Sequence, residues 1–163
     1  MLFNFTPPLP YYIGAVYHLI GLPLVKATKL TFLTAFFFGT LGMYFLLKKF
    51  TDKTSTTIGI LLFLTSAYLN YDVYLRGALM EFFALMFIPW LILAYSNKNI
   101  LFSVLITALI VLSHPMIALI SLGLLIFLTK NIRTYLIPLL FGLGLSAFFW
   151  LPSILEMKYV RYS

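Results

Sequence analysis

Ile110-Val111-Leu112-Ser113-His114-Pro115-Met116-Ile117-Ala118 joins two apolar runs, Ile100 to Ser113 and Pro115 to Thr129. The reading of this stretch decides the fold. At about 1.5 Å per residue, each run reaches only roughly two-thirds of the way across a hydrocarbon core about 30 Å thick. Either the two runs form one long helix kinked at Pro115, or they form a hairpin of short helices with its turn at membrane depth. Such a turn survives only where protein or a polar cavity surrounds it.

Outward from this stretch lie five more apolar segments: Leu9 to Val25, Leu30 to Leu47, Thr56 to Leu69, Ala78 to Tyr95 and Tyr135 to Leu151. Those beginning at Leu30, Ala78 and Tyr135 are long enough to span. The one from Thr56 to Leu69 is short. The first is broken by Gly14, Gly21 and Pro23. Its prolines, glycines and paired tyrosines suit an interfacial helix better than a span. No internal repeat and no second domain is visible, so residues 1–163 read as a single transmembrane domain.

Composition agrees. Apolar residues make up 63% of the chain and mean hydropathy is +1.05, against about 45–50% apolar in a soluble domain. That excess requires lipid as solvent, and the chain reads as a multi-pass protein of the cell membrane, with membrane lipids as its partners. Eleven basic residues against four acidic ones give a net charge of +7. The basic residues fall between apolar runs, as headgroup anchors do, and form no aromatic-interleaved face for nucleic acid. Cysteine is absent.

Lys48, Lys49 and Lys53 form the densest basic connection, which the positive-inside rule places in the cytoplasm. Alternation then puts Asp72 and Arg76 outside and Lys98 inside. The hairpin adds Lys130 and Arg133 to the inside, whereas the long helix adds Lys158 and Arg161. Either way six basic residues lie inside and five elsewhere, so charge does not choose between the two.

Two of the four acids stand in Asn70-Tyr71-Asp72-Val73-Tyr74-Leu75-Arg76-Gly77-Ala78-Leu79-Met80-Glu81. A charge at the edge of a bilayer is kept mainly where it pairs or works. Asp72 and Arg76, four apart, suit a pair on one helical turn. Glu81 falls near the start of the fourth segment, where the helix dipole favours an acid. The functional alternative has Arg76 binding a lipid-linked phosphate and Glu81 facing a polar cavity. His114 either satisfies backbone groups at a broken turn or contacts phosphate. His18, Trp90 and Trp150 read as structural.

Four patterns in order carry a resemblance. They are Phe5-Thr6-Pro7-Pro8-Leu9-Pro10-Tyr11-Tyr12; Tyr74-Leu75-Arg76-Gly77-Ala78-Leu79-Met80-Glu81-Phe82; Leu112-Ser113-His114-Pro115; and Ser146-Ala147-Phe148-Phe149-Trp150-Leu151-Pro152 with Glu156. Together they resemble membrane proteins with a 6-pyruvoyl-tetrahydropterin synthase-related domain, themselves similar to the C-class polytopic glycosyltransferases that use lipid-linked sugars.

The resemblance implies the hairpin, and an all-α membrane bundle of six embedded helices behind an interfacial N-terminal one. It implies Glu81 and Asp72 as catalytic candidates, Arg76 and His114 as substrate-binding candidates, and a polyprenyl-phosphate-linked sugar as partner. A divalent metal enters only through this resemblance. The C-class enzymes carry a catalytic acid in a first outer loop before the Pro-Pro-Leu element. Here Pro7 is six residues after Met1 and no acid precedes Asp52. The chain is therefore expected to be a fragment or short form, not catalytically complete alone. The competing expectation is a non-catalytic scaffold or lipid-binding subunit. Pterin synthesis is not expected, because a zinc site needs three or four ligands and the chain has two histidines and no cysteine.

Overall fold

The computed structural model describes residues 6–128 and 132–159; Phe5, Thr129, Lys130 and Arg161 lie outside the described residues. Among the described residues the regular elements are all helices. They run α1 (Leu9–Leu19), α2 (Leu24–Lys48), α3 (Lys53–Leu64), α4 (Ala67–Tyr71), a π-helical turn (Asp72–Arg76), α5 (Leu79–Ser96), α6 (Ile100–Ser113), α7 (Pro115–Leu128), α8 (Ile132–Leu145) and α9 (Ala147–Glu156), with a last 3-10 turn (Met157–Tyr159).

Helix α5 is the axis of the bundle. Phe82, Met86 and Leu91 are completely buried on it, and α2, α6 and α7 pack around it. In lipid the apolar effect gives little drive between helices, so close approach of backbones carries the packing. The glycines of α2 supply it. A methyl group at Gly39 would meet Met86 Sδ at 2.1 Å, and one at Gly42 would meet Trp90 Nε1 at 2.6 Å. Trp90 in turn donates its indole N–H to the Phe38 carbonyl at 2.8 Å. These contacts advance together along both helices, so α2 and α5 run parallel.

Among the described residues three helices are long and apolar enough to cross a membrane: Leu24–Lys48, Lys53–Arg76 and Leu79–Ser96. The second exceeds the expected short segment. Helical geometry resumes after a break at Thr65-Ser66 and continues through the polar residues to Arg76. Asn70 holds the break, donating its amide to the carbonyls of Leu64 and Ser66 at 3.0 and 2.9 Å.

At His114 the backbone is extended, with φ −162° and ψ 106°. A single straight helix would hold Thr107 and Leu122 about 22 Å apart along its axis. Instead two tyrosines link them. Tyr95 Oη lies 3.1 Å from Thr107 Oγ1, the Tyr95 and Tyr135 rings are 5.9 Å apart, and Tyr135 Oη donates to the Leu122 carbonyl at 2.8 Å. Two side chains do not bridge 22 Å. Thus α7 turns off the α6 axis and packs back against α6 and α5, as the hairpin requires. Ser113 and Ala118 are buried on either side of the turn, while Pro115 and Met116 at its tip are exposed. The backbone groups freed by the break are met locally, the His114 N–H by the Ile110 carbonyl and the Ile117 N–H by His114 Nδ1, which eases the cost of a broken helix at membrane depth. Helix α8 returns along α6; a methyl group at Gly142 would meet Thr107 Cβ at 2.6 Å and the Val104 carbonyl at 3.0 Å.

The segment from Tyr135 to Leu151 is not the single straight span expected. Helices α8 and α9 meet at 72°. The carbonyls freed at this bend are re-satisfied locally, by Ser146 Oγ on Gly142 at 3.0 Å and by Trp150 Nε1 on Leu143 at 2.8 Å. Polar side chains make such a break tolerable in lipid. Helix α1 has 11 residues, about 16 Å of rise and too short to span. It rests on α2, with Tyr17 Oη 2.6 Å from Thr34 Oγ1, and touches α5 and α6.

Candidate functional site

The chain leaves α4 through a widened turn. Asp72 to Arg76 are π-helical, Gly77 adopts φ +60°, and the Ala78 N–H bonds back to the Asp72 carbonyl at 2.9 Å. A left-handed φ is strained for a residue with a Cβ and free for glycine. Gly77 therefore lets α5 begin two residues later, and Glu81 falls in its first turn, where the dipole favours an acid.

The turn brings three of the four predicted residues into contact. Arg76 Nη1 lies 2.7 Å from Asp72 Oδ1 and 2.9 Å from Glu81 Oε2. Tyr68 Oη donates to the other Glu81 oxygen, Oε1. Burial grades the three side chains: Asp72 is fully buried, Glu81 is 13% exposed and Arg76 42%. The second Asp72 oxygen, Oδ2, has no hydrogen-bond partner among the described residues.

His114, the fourth, is built into the α6–α7 turn. Its Nδ1 accepts the Ile117 N–H at 3.3 Å, and its carbonyl accepts the Ala118 N–H at 2.9 Å. With Nδ1 accepting, a neutral ring carries its proton on Nε2. It caps the start of α7 and makes no hydrogen bond or ion pair to Asp72, Arg76 or Glu81.

This arrangement covers the motifs in which the sequence concentrates its polar residues, and a family model matches the same expanse, residues 3–159. The chain belongs to the 6-pyruvoyl-tetrahydropterin synthase related domain family of membrane proteins. No curated relative and no solved structure matches it.

In this family member, Tyr68 is the site residue that sequence reasoning missed. Its signal was present. Tyr68, Asp72 and Arg76 recur at intervals of four, the spacing that aligns one helical face. A divalent metal does not fit the cluster. Both acids are engaged by Arg76, and among the described residues there is no group of three His, Cys, Asp or Glu able to hold a metal ion.

Clefts border this end of the bundle. One of about 460 Å³ lies between α1, α2 and Gly77, lined by Pro10, Tyr11, His18 and Thr28 among others. There His18 Nδ1 lies 2.9 Å from the Leu22 carbonyl, a structural contact as expected. A cleft of about 580 Å³ lies between α1 and α9, with Tyr11, Tyr12, Phe148 and Phe149 in its walls.

Proposed function

We propose that this membrane protein is the core of a polyprenyl-phosphate-sugar-dependent, glycosyltransferase-like protein of the cell membrane, and that the Asp72–Arg76–Glu81 cluster is its phosphosugar site. The observation that carries this reading is the exposure of Arg76. Although Nη1 is held by two carboxylates, 42% of the side chain reaches the surface. A guanidinium presents five N–H donors in a planar fork that fits phosphate oxygens.

Within the proposal Asp72, being fully buried, positions Arg76 and does not touch substrate. Glu81 is the reachable carboxylate and the candidate base. It would take the proton of an acceptor hydroxyl as that oxygen attacks the anomeric carbon, while the lipid phosphate leaves with the electron pair of the broken bond. His114, the remaining substrate-binding candidate, is placed by its cap on α7 at the neighbouring turn. Both acids are already committed to Arg76, so the proposal for these residues by themselves is recognition of the lipid phosphosugar, not turnover.

The test is titration of a polyprenyl phosphate into the chain held in nanodiscs. Binding is expected to weaken at least roughly tenfold in Arg76→Ala, the loss of one charge-assisted contact, and less in Arg76→Lys. Equal binding by the parent and Arg76→Ala overturns the reading.

One observation favours a second reading, a non-catalytic scaffold or lipid-binding subunit. Arg76, Glu81 and Tyr68 satisfy one another, which suffices to clamp the π-helical turn onto α5. Under that reading the parent chain does not bind the polyprenyl phosphate, and Arg76→Ala changes only stability.

A further inference from the structure

The opposite end of the bundle holds a further cleft, between the end of α2 and the start of α3. It measures about 340 Å³ and is lined by Tyr44, Lys48, Thr51, Lys53, Thr56, Thr57 and Ile60. Two lysines and four hydroxyl-bearing side chains line one small space. The Thr51 and Thr57 hydroxyls are donated to the Leu47 and Lys53 carbonyls at 2.9 and 3.0 Å, so the lysines are the donors left for an anion. We propose that this cleft binds the phosphate of an anionic lipid headgroup.

The charge at this end has no internal answer. Among the described residues no ion pair involves Lys48, Lys49, Lys53 or Lys98. Lys48 Nζ sits 5.4 Å from the Tyr44 ring centroid, and Lys49 Nζ is spent on Ser96 Oγ at 3.0 Å and Asn97 Oδ1 at 2.7 Å. Asp52 is the acid of this connection, and it does not line the cleft. Its oxygens are taken by the Ser55 hydroxyl at 2.5 Å and the Thr54 N–H at 2.9 Å. Lys48 and Lys53 are thus left to a ligand.

The walls are set. Thr56 is buried, and its Oγ1 lies 2.9 Å from that of Thr51. Gly59 sits against Leu47 so closely that a methyl group there would meet Leu47 Cδ1 at 2.5 Å. This contact draws α2 and α3 together on the bilayer side of the cleft.

Position selects a lipid over a free anion. Lys48 ends one candidate span and Lys53 begins the next, so their ammonium groups fall at headgroup depth, where lysine stems reach toward phosphate. Tyr44 and Ile60 lie about one turn farther into the bilayer from Lys48 and Thr56, and offer apolar surface to the top of an acyl chain.

The test places the full chain in phosphatidylcholine nanodiscs doped with phosphatidylglycerol and measures the retained lipid by native mass spectrometry and titration. Preferential retention of phosphatidylglycerol is expected. Lys48→Gln with Lys53→Gln is expected to weaken it roughly thirtyfold, at the usual worth of two surface lysines. Lys26→Gln with Lys29→Gln removes the same charge elsewhere on α2 and is expected to leave retention unchanged. Thr57→Phe fills the cleft without altering charge and is expected to weaken retention as well. Equal loss in both double variants, or parent-like retention in Thr57→Phe, reduces the effect to net charge and overturns the site. Displacement by inorganic phosphate as readily as by phosphatidylglycerol overturns the lipid assignment. This proposal stands apart from the Arg76 site, and neither test depends on the other.

Discussion

At one end of the bundle Arg76 is held by Asp72 and Glu81, and Glu81 by Tyr68; at the other, Lys48, Lys49 and Lys53 meet hydroxyls, an amide and aromatic rings but no carboxylate. The first group is partly withdrawn from solvent and closed on itself. The second is open and carries surplus charge. The difference follows from what each end must tolerate. A fully buried carboxylate is costly unless paired, so Asp72 came with an arginine one turn away. Lysines at a helix end keep their charge in water and need no partner. A charge that has to be paired holds structure together, whereas a charge that need not be is free for a ligand.

The comparison breaks if the wrong end proves fragile. The largest effect is expected from Arg76→Ala, which strips Asp72 of its cation. Its loss of thermal stability in detergent should exceed that of Lys48→Ala, Lys49→Ala and Lys53→Ala combined, and adding Asp72→Asn should recover part of it. If the lysine variants lose more, the assignment of roles is wrong. Next comes Gly142→Leu, which drives a side chain into Thr107 and the Val104 backbone. Overpacking of this kind costs about 1–3 kcal/mol, read as a lower unfolding midpoint in denaturant.

Tyr68→Phe sharpens the comparison further. It removes the hydroxyl from which Glu81 accepts a hydrogen bond and is expected to cost about 1 kcal/mol, the net scale of one ordinary intramolecular hydrogen bond, because Tyr68 is exposed. A neutral result would show that Arg76 alone secures Glu81. The smallest effect belongs to Asp52. The Ser55 hydroxyl, with the N–H groups of Thr54 and Ser55, holds its carboxyl below the usual range. A depressed folded-state value stabilises above the unfolded one, near pH 3.8, and the contribution is lost as pH falls through the lower, folded value. Thermal scans between pH 6 and 3 should therefore show a small acid-side decline that Asp52→Asn reduces.

Much of this was legible beforehand, for reasons that differ by element. The spans at α2 and α5 follow from length and apolarity alone. Asp72 and Arg76 declared their pairing by spacing. Other features are long-range. The hairpin at His114 was invisible to charge counting, because Lys130 and Arg133 exchange for Lys158 and Arg161 without altering the balance. Contacts of Tyr95 and Tyr135 across four helices fix it. The bend at Ser146 was missed because Phe148 to Leu151 continue the apolar run unbroken; hydropathy does not register a hydroxyl that bonds back to Gly142. The lysine cleft was read only as topology, since its threonines looked like ordinary surface residues until α2 and α3 were set side by side.

The fold-back at His114 bears on how the protein enters its membrane. Neither α6 nor α7 is long enough to halt translocation as an independent stop signal. The pair is expected to go in together as a folded loop, and its two helices find their packing surface only once α5 is already in place. Biogenesis of this protein is thus sequential: the central helix waits in the bilayer for a partner that arrives bent.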